Sequence, residues 1–213
     1  MNLFLLGATG RTGRLIVERA LSRGHGVTAM VRDPATLPAQ PRLHIETADP
    51  LGADLLARNL AGHEVVISCL GQKSRGDAHL LEKAASATLD AMARTGVRRI
   101  LVVSQGLLFP SWNPLIFLLR LILARHVADS VAMEQLVRTS DIHWTIVRPP
   151  RLLEGGASQG YRIKIGAQPK GSWSMQRIDL AAFLLDEAES GKHKRHIVGI
   201  TSGVTDGKRK GRP

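Results

Sequence analysis

The chain has 213 residues, a formal net charge of +11 and one cysteine, Cys69. This length is sufficient for one domain with a sizeable core, and a lone cysteine excludes an intrachain disulfide. Four basic residues lie in the tail at residues 207–213, and three more lie at residues 192–196. Because no nucleic-acid-binding motif accompanies them, we expect solvated basic segments and no nucleic-acid partner.

The N-terminal half alternates short apolar runs with segments of helical spacing. We predict strands at residues 2–6, 27–31, 43–46 and 64–68. Helices are predicted at residues 12–23, 51–60 and 79–94. Short apolar runs without a polar face are typical of parallel strands that are buried on both sides.

The C-terminal half continues this alternation as far as Pro150. Strands are predicted at residues 99–104 and 144–147, with a helix at residues 127–138 between them. A short strand at 161–165, a helix at 178–189 and a strand at 196–200 follow. The pattern predicts an α/β, doubly wound parallel sheet (a Rossmann fold) in one domain, residues 1–200, with a small C-terminal substrate-side extension. Residues 201–213 are expected to form a disordered basic tail.

Neither a leader nor a membrane span is evident. The apolar stretch after Met1 has no basic residues before it, unlike a signal peptide. The most apolar segment, residues 115–124, has about half the ~20 residues that a span requires. We therefore expect a cytoplasmic protein with no membrane partner and no metal.

The clearest motif is GATGRTG at residues 7–13, which follows a predicted strand and opens a predicted helix. In that context a pyrophosphate can bind the free N–H groups of the helix N-terminus. Gly7 and Gly10 would let the backbone approach the phosphates, and Gly13 would let the helix lie close to the strand. Thr9 and Thr12 add hydroxyl donors. Arg11 points either at phosphate or at solvent.

The end of the second strand bears on the choice of dinucleotide. An acidic residue at this point would bind the ribose 2′-hydroxyl of NAD, whereas an arginine accommodates the 2′-phosphate of NADP. Arg32 stands here, which favours NADP(H). Asp33 follows it and is interpreted as part of a turn with Pro34, and a solvent-exposed Arg32 remains the alternative.

Six short motifs together carry a family resemblance: GATGRTG at 7–13, GHGVT at 24–28, VRDP at 31–34, CLG at 69–71, VVS at 102–104 and WTIVRPP at 144–150. They resemble the atypical short-chain dehydrogenase/reductases with an NmrA-like NAD(P)-binding domain, and most closely the flavin reductase (biliverdin-IXβ reductase) branch. The resemblance covers residues 1–200.

The resemblance implies the following cofactor contacts: Gly7, Thr9, Gly10, Arg11, Thr12 and Gly13 at the pyrophosphate, Arg32 at the 2′-phosphate, Asp49 at the adenine edge, Leu70 and Gly71 at the ribose, Ser104 beside the nicotinamide, and Pro150 packed on it. All of them lie at the C-terminal ends of predicted strands, where ligands bind in open α/β sheets.

Two departures from the related families concern catalysis. Arg151 stands where the reductase branch has a histidine, and an arginine cannot give up its proton. It binds an anionic group of the substrate, neutralises developing charge, or is a solvated loop charge. The Tyr-x-x-x-Lys pair of the main short-chain dehydrogenases is absent, and the only tyrosine, Tyr161, lies outside a predicted helix.

Reduction of a flavin fits a site without a strong acid, because hydride transfer to flavin needs mainly positioning. Ser104 and Arg151 are the candidate catalytic residues, although Ser104 could simply end a strand. The apolar segment 106–125 either covers the nicotinamide site, forms a dimer contact or packs into the core. We interpret His126 as a surface residue and Glu134 as a helix cap or the partner of a base.

The sequence thus favours an NADPH-dependent reductase that transfers hydride to a flavin or a similar planar acceptor, as a monomer or homodimer. A non-catalytic NADP(H)-binding sensor of the NmrA-like type is the alternative. A nucleic-acid-associated protein is a weaker hypothesis, and a nucleotide-sugar epimerase is disfavoured because that class also uses the Tyr-Lys pair.

Overall fold

The computed structural model describes residues 1–34, 37–71, 79–156, 158–171 and 173–203. The strands are β1 (Asn2–Leu6), β2 (Gly26–Val31), β3 (Leu43–Thr47), β4 (Val65–Ser68), β5 (Arg99–Val103), β6 (His143–Arg148), β7 (Arg151–Leu153), β8 (Tyr161–Ile165), β9 (Ser174–Gln176) and β10 (His196–Ser202). The helices are α1 (Arg11–Ser22), α2 (Ala53–Leu60), α3 (Leu80–Thr95), α4 (Pro114–Ile122), α5 (Ala124–Thr139) and α6 (Arg177–Ser190).

Eight strands form one sheet in the order β3-β2-β1-β4-β5-β6-β10-β8. All neighbours in it are parallel except β8, which runs antiparallel to β10 at the edge. The strand order reverses direction between β1 and β4, so that the chain segments after these two strands leave toward opposite faces of the sheet, which is where open α/β sheets form a crevice. The predicted doubly wound parallel fold is confirmed.

Alternate side chains of the central strands supply two separate cores. Leu3 and Leu5 of β1 pack on the side that carries α1 and α6. Phe4 and Leu6 pack on the opposite side, with α2, α3 and α5. Both faces of the sheet are therefore buried, which explains why the strands have no polar face in the sequence.

The C-terminal extension is a two-stranded parallel pair, β7 with β9, in which Arg151 is paired with Ser174. Neither strand was predicted, because runs of three residues carry no readable periodicity. The last strand extends to Ser202, and residues 204–213 of the predicted tail lie outside the described residues.

The region between β5 and β6 differs most from the prediction. The helix predicted at residues 127–138 is present as α5, and a further helix, α4, precedes it with only Leu123 between them. Asn113 caps α4 through its side-chain oxygen, which accepts from the Leu115 N–H at 2.9 Å, and Pro114 occupies the first turn. The helix was not recognised because its almost uniformly apolar sequence shows no 3.6-residue alternation.

A buried ion pair closes the amino edge of the sheet. The Arg99 guanidinium at the start of β5 donates to Glu187 of α6 at 2.7 Å. Glu187 also accepts from the backbone N–H of His193 at 2.9 Å, and the His193 ring lies 2.6 Å from its other oxygen. Burial lowers the pKa of Arg99. The carboxylate thus ties β5, α6 and the turn before β10 together.

Candidate functional site

The turn between β1 and α1 has no room for side chains at two of its glycines. Gly7 has a φ of +82°, and a Cβ there would lie 2.7 Å from the carbonyl oxygen of Cys69 on the neighbouring chain segment. A Cβ on Gly13 would lie 2.1 Å from the Gly7 oxygen. Real Cβ atoms do not approach so closely, so both positions require glycine for this backbone path.

The same turn leaves the start of α1 open to a ligand. Gly10 precedes the helix and provides no side-chain cap, and the first turn contains no acidic residue. The first N–H groups of a helix have no intrahelical acceptor, and the helix dipole is positive at this end. The arrangement fits a phosphate group, which would accept from those N–H groups.

A cleft of about 300 Å³ lies beside this turn at the carboxyl edge of β1, β2 and β4. It brings together the following predicted cofactor residues: Gly7, Thr9, Gly10, Arg32, Asp49, Leu70 and Gly71. Lys83 of α3 also lines it. Asp49 accepts from the Leu51 N–H at 3.0 Å, which holds its loop in a turn. We call this space the first cleft.

A second cleft of about 260 Å³ continues from the first, since Cys69, Leu70 and Gly71 line both. Its other lining residues include Thr12 from the glycine-rich turn and Ser104 after β5. The two clefts form one groove that runs along the carboxyl edge of the sheet past the start of α1. Such a shape suits an elongated two-part ligand whose middle carries phosphates.

Ser104 is fixed in the second cleft by a buried ion pair. Its hydroxyl donates to Glu134 of α5 at 2.6 Å. The Arg148 guanidinium at the end of β6 donates twice to the same carboxylate, at 2.9 and 2.5 Å, and stacks 4.8 Å from the centre of the Phe109 ring. Glu134 is thus the partner of a base, one of the two roles predicted for it. Because the hydroxyl proton is directed at Glu134, Ser104 offers the cleft a lone pair.

Arg177 lines the second cleft and was not identified in the sequence. It stands in the first turn of α6, and its guanidinium donates to the Thr12 hydroxyl at 3.2 Å. Glu154 lies between it and Arg11: one carboxylate oxygen is 3.4 Å from Arg177 Nε and also accepts from Arg11. The Arg11 guanidinium holds the pKa of Glu154 below its usual range. An acidic side chain therefore bridges two cations beside the start of α1.

Four predicted site residues are not among those that line the two clefts as described. Arg11 and Gly13 belong to the first turn of α1 but are not among the lining residues of either cleft. Pro150 and Arg151 also contribute nothing to the two walls as described. Arg151 is exposed on β7, and its backbone N–H donates to the Trp173 oxygen at 3.1 Å.

Tyr161 and Cys69 carry groups that can do acid–base or thiol chemistry, but the surroundings of each raise its pKa. Tyr161 lies on β8, donates to Asp186 at 2.6 Å and packs edge-on against Phe183. Burial and the Asp186 carboxylate raise the pKa of Tyr161. Burial also raises the pKa of the Cys69 thiol to about 12, so that it stays protonated near neutral pH.

The second cleft also has residues from α5 in its wall. His126 and Ser130 line it, together with Gln105, whose amide donates to the Ser130 hydroxyl at 2.8 Å and to the His126 carbonyl at 3.2 Å. His126 was interpreted as a surface residue, but the structure places it in the cleft wall. Spacing of four residues on a helix could have suggested that His126 and Ser130 share a face.

The apolar segment 106–125 does not behave as a core element. Most large apolar side chains of α4 are exposed, and Ile116 is the one classed as buried. No residue of α4 is among those that line the second cleft as described. The interpretation of this segment as a helix packed into the core is therefore wrong. Its two neighbours in the chain, Gln105 and His126, do line the cleft.

One group of possible metal ligands lies at the start of α3. His79, Glu82 and Asp129 place ligand atoms within 4.8 Å of one another. Asp129, however, accepts from the backbone N–H groups of Leu81 and Glu82 at 3.0 and 2.9 Å. Its carboxylate caps the helix, and we assign no metal to this group.

Comparison with known proteins agrees with this geometry. A family model described as NAD(P)H-binding matches residues 7–190. The Bacillus subtilis protein YwnB is 26% identical over 214 residues, which cover 95% of this chain and 99% of that protein. The oxidoreductase ylbE of Lactococcus lactis superimposes with a TM-score of 0.83 at 17% identity, over 96% of this chain and 92% of that one.

A Streptococcus pneumoniae protein described as an NADH-flavin reductase superimposes with a TM-score of 0.79 at 24% identity. That match covers 95% of this chain and 99% of the other. The family match includes the glycine-rich turn and all the residues described as lining the two clefts, and the solved structures share the fold.

Proposed function

Because the chain belongs to the NAD(P)H-binding family, we propose that it is an NADPH-dependent reductase that delivers hydride to a flavin or a similar planar acceptor. The observation that carries this proposal is the continuous groove past the start of α1. One end of it contains Arg32, and the other contains a Ser104 hydroxyl whose proton is directed at a buried carboxylate.

Arg32 supports the preference for NADPH. Its side chain lines the first cleft, together with Lys83, whereas Asp33 is not among the lining residues. Two cationic side chains in one cleft favour a ligand with an additional phosphate, and a guanidinium can donate two parallel hydrogen bonds to it. We infer that the 2′-phosphate of the cofactor is bound at this end.

The chain supplies position more than proton transfer. A bound NADPH would supply a hydride from nicotinamide C4. The N–H groups at the start of α1 and the guanidinium of Arg177 would hold negative charge at the middle of the groove. The Ser104 oxygen would accept a hydrogen bond from the amide N–H of the nicotinamide, because its own proton is donated to Glu134.

The flavin-like acceptor is supported by the proton donors available to the second cleft. Tyr161 is not among the residues that line the clefts as described, and its pKa is raised; burial raises the pKa of the Cys69 thiol, so neither is suited to rapid proton donation. A flavin can take its proton from solvent after hydride arrives. The Streptococcus pneumoniae neighbour, described as an NADH-flavin reductase, supports the same class. We move the proposed anion-binding role from Arg151 to Arg177, which lines the cleft.

The first experiment measures oxidation of NADPH and NADH with FMN, FAD and riboflavin, by the loss of nicotinamide absorbance. We expect turnover with NADPH, and Arg32→Ala should weaken NADPH binding about 10- to 100-fold while changing NADH little. Arg138→Ala, an exposed arginine at the end of α5, is the matched control. Equal loss for both cofactors would contradict the 2′-phosphate assignment. Tight NADPH binding without turnover would indicate a sensor.

His126 provides a second test of the acceptor. It is a histidine in the wall of the second cleft, and an imidazole can serve as a general acid. If the acceptor takes its proton from solvent, His126→Gln should leave the pH profile of flavin reduction unchanged. A profile that loses a limb near neutral pH in this variant would instead indicate a carbonyl-type acceptor protonated by His126.

We also propose the cytoplasm as the site of action. The groove requires a pool of reduced nicotinamide cofactor, and the single cysteine fits a reducing compartment.

A further inference from the structure

The α4 surface is a patch of exposed apolar side chains formed by Trp112, Leu115, Phe117, Leu118, Leu121 and Ile122. Trp112 is fully exposed, and Leu115, Phe117, Leu121 and Ile122 keep 66–69% of their surface exposed. Scattered exposed apolar residues are normal, but a contiguous group of this size marks an interaction surface.

The one charged side chain of α4 is turned away from this surface. Arg120 Nε donates to the Leu107 oxygen at 2.7 Å, and its Nη2 donates to the Phe109 oxygen. These bonds anchor α4 to the preceding loop and remove the charge from the exposed side. The α4 surface is therefore apolar without interruption.

The exposed arc is wide. At 3.6 residues per turn, the positions from Phe117 through Leu121, Leu118, Ile122 and Leu115 to Leu119 span about 200° of the helix circumference. A helix on the surface of a protein normally buries a stripe a little over about 100° wide. A two-fold contact with another copy would cover one such stripe and leave the rest in water, whereas lipid can surround the whole arc.

Charge also discriminates between these occupants. Residues 104–128 contain Arg120, Arg125 and His126 but no acidic residue, and Arg125 is exposed just beyond α4. The chain as a whole carries +11, so two copies repel one another, whereas an anionic surface attracts each of them. Trp112 at the entrance of the helix suits the boundary between lipid and water.

Among the described residues, no helix has the length and apolar character to cross a bilayer. We propose that α4 instead lies within the interface of a membrane that contains anionic lipids, with the α4 surface in the acyl region and Arg125 among the headgroups. This inference is independent of the proposed reductase activity, because no residue of α4 is part of the two cleft walls as described. It departs from the sequence-based expectation of no membrane partner.

The test is flotation of the full chain with vesicles of phosphatidylcholine alone or mixed with phosphatidylglycerol. We expect binding to the mixed vesicles and little to the neutral ones. Phe117→Ser or Leu121→Ser should each reduce binding about tenfold or more, since each removes a large apolar side chain that the lipid would bury. Leu55→Ser, on the exposed side of α2, is the matched control and should bind unchanged. Equal binding by all variants would overturn the proposal.

The basic tail could bind anionic vesicles by itself, so the same variants are compared in a chain that lacks residues 207–213. We expect weaker binding overall and the same loss on Phe117→Ser. If deletion of the tail abolishes binding and Phe117→Ser has no effect, α4 is not the docking element. Sedimentation completes the set: a dimer that Phe117→Ser dissociates, without vesicle binding, would assign the surface to a second copy.

Fluorescence locates the helix directly. In a Trp173→Phe variant, the remaining tryptophans are Trp112, which is fully exposed, and Trp144, which is 7% exposed. We expect lipids brominated on the acyl chain to quench the emission of Trp112 on binding and to shift it to the blue. Binding without quenching would place α4 outside the lipid and contradict the proposal.

Discussion

The neighbouring strands β5 and β6 each carry one buried arginine–glutamate pair, and the two pairs lie at opposite edges of the sheet. At the amino edge, Arg99 of β5 pairs with Glu187, whose remaining contacts are with His193 and Thr145. At the carboxyl edge, Arg148 of β6 pairs with Glu134, whose remaining contact is the Ser104 hydroxyl. The chemistry of the two pairs is alike, and their third partners differ.

This difference separates a structural pair from a positioning pair. Glu187 is 1% exposed, and neither it nor its contact residues line the two clefts as described. Glu134 is 5% exposed and fixes the hydroxyl of Ser104, which lines the second cleft. A buried ion pair by itself is weak support for stability or function. What its carboxylate holds besides the arginine indicates which of the two it serves.

The largest expected effect is on folding, from Glu187→Ala. It leaves Arg99 buried without its counter-charge, and we expect a loss of about 3–5 kcal/mol in the free energy of unfolding. Urea unfolding measures the loss, and NADPH affinity of the folded fraction should not change. A loss below about 1 kcal/mol would mean that water or another group compensates Arg99.

Glu134→Gln should affect both folding and turnover. The amide keeps the shape but leaves Arg148 without a carboxylate, which should cost about 1–3 kcal/mol of stability. The one amide oxygen of glutamine cannot accept from both Ser104 and Arg148 as the two carboxylate oxygens do, so the Ser104 hydroxyl is no longer held in place. We expect kcat with a flavin to fall about tenfold while the KM for NADPH stays the same. A rise in KM with an unchanged kcat would assign Glu134 to ground-state binding of the cofactor.

Ser104→Ala isolates the hydroxyl. Glu134 keeps both bonds from Arg148, so the free energy of unfolding should change by less than about 1 kcal/mol. We expect the same roughly tenfold loss in kcat, and no further loss when it is combined with Glu134→Gln. Additive losses in the double variant would show that Glu134 acts on the reaction independently of Ser104.

The smallest expected effect concerns a third carboxylate, the exposed Glu154. It pairs with Arg11 and Arg177, the same arginines that we expect to attract the phosphates of the cofactor. Because Arg11 keeps its pKa low, Glu154 stays charged as pH falls through the range where free carboxylates protonate. Glu154→Gln should release Arg11 and Arg177 and tighten NADPH binding about two- to fivefold by titration calorimetry. Glu189→Gln, in an exposed pair with Arg23, is the control; weaker binding in Glu154→Gln would show that the bridge orders the site.

Features encoded by a few neighbouring residues could be predicted from the sequence. The turn at residues 7–13 is one, because the glycines and the strand before them are consecutive, and Arg32 is another. Ser104, Glu134 and Arg148 could not be grouped, since 30 positions separate the first two and only the packing of α5 on β6 brings them together. Arg177 was missed for the same reason: it reaches Thr12 across 165 positions.

For Pro150 and Arg151, the sequence does not show which side chains of this segment reach the groove. They follow a strand at the carboxyl edge, where ligands usually bind, but the chain enters β7 at once, and in the cleft wall as described it is Leu152 of β7 that contributes. A three-residue strand left no periodic signal from which this arrangement could be predicted.

The two clefts differ in how much of the chain they require. Every residue in the wall of the first lies between Gly7 and Lys83, whereas the second is completed by Arg177. A ribosome releases the chain from its N-terminus at about 5–20 residues per second. The components of the first cleft therefore leave the ribosome several seconds before those of the second. During that time a nascent chain has all the residues of the first cleft but still lacks Arg177 of the second cleft, where we propose that the acceptor binds.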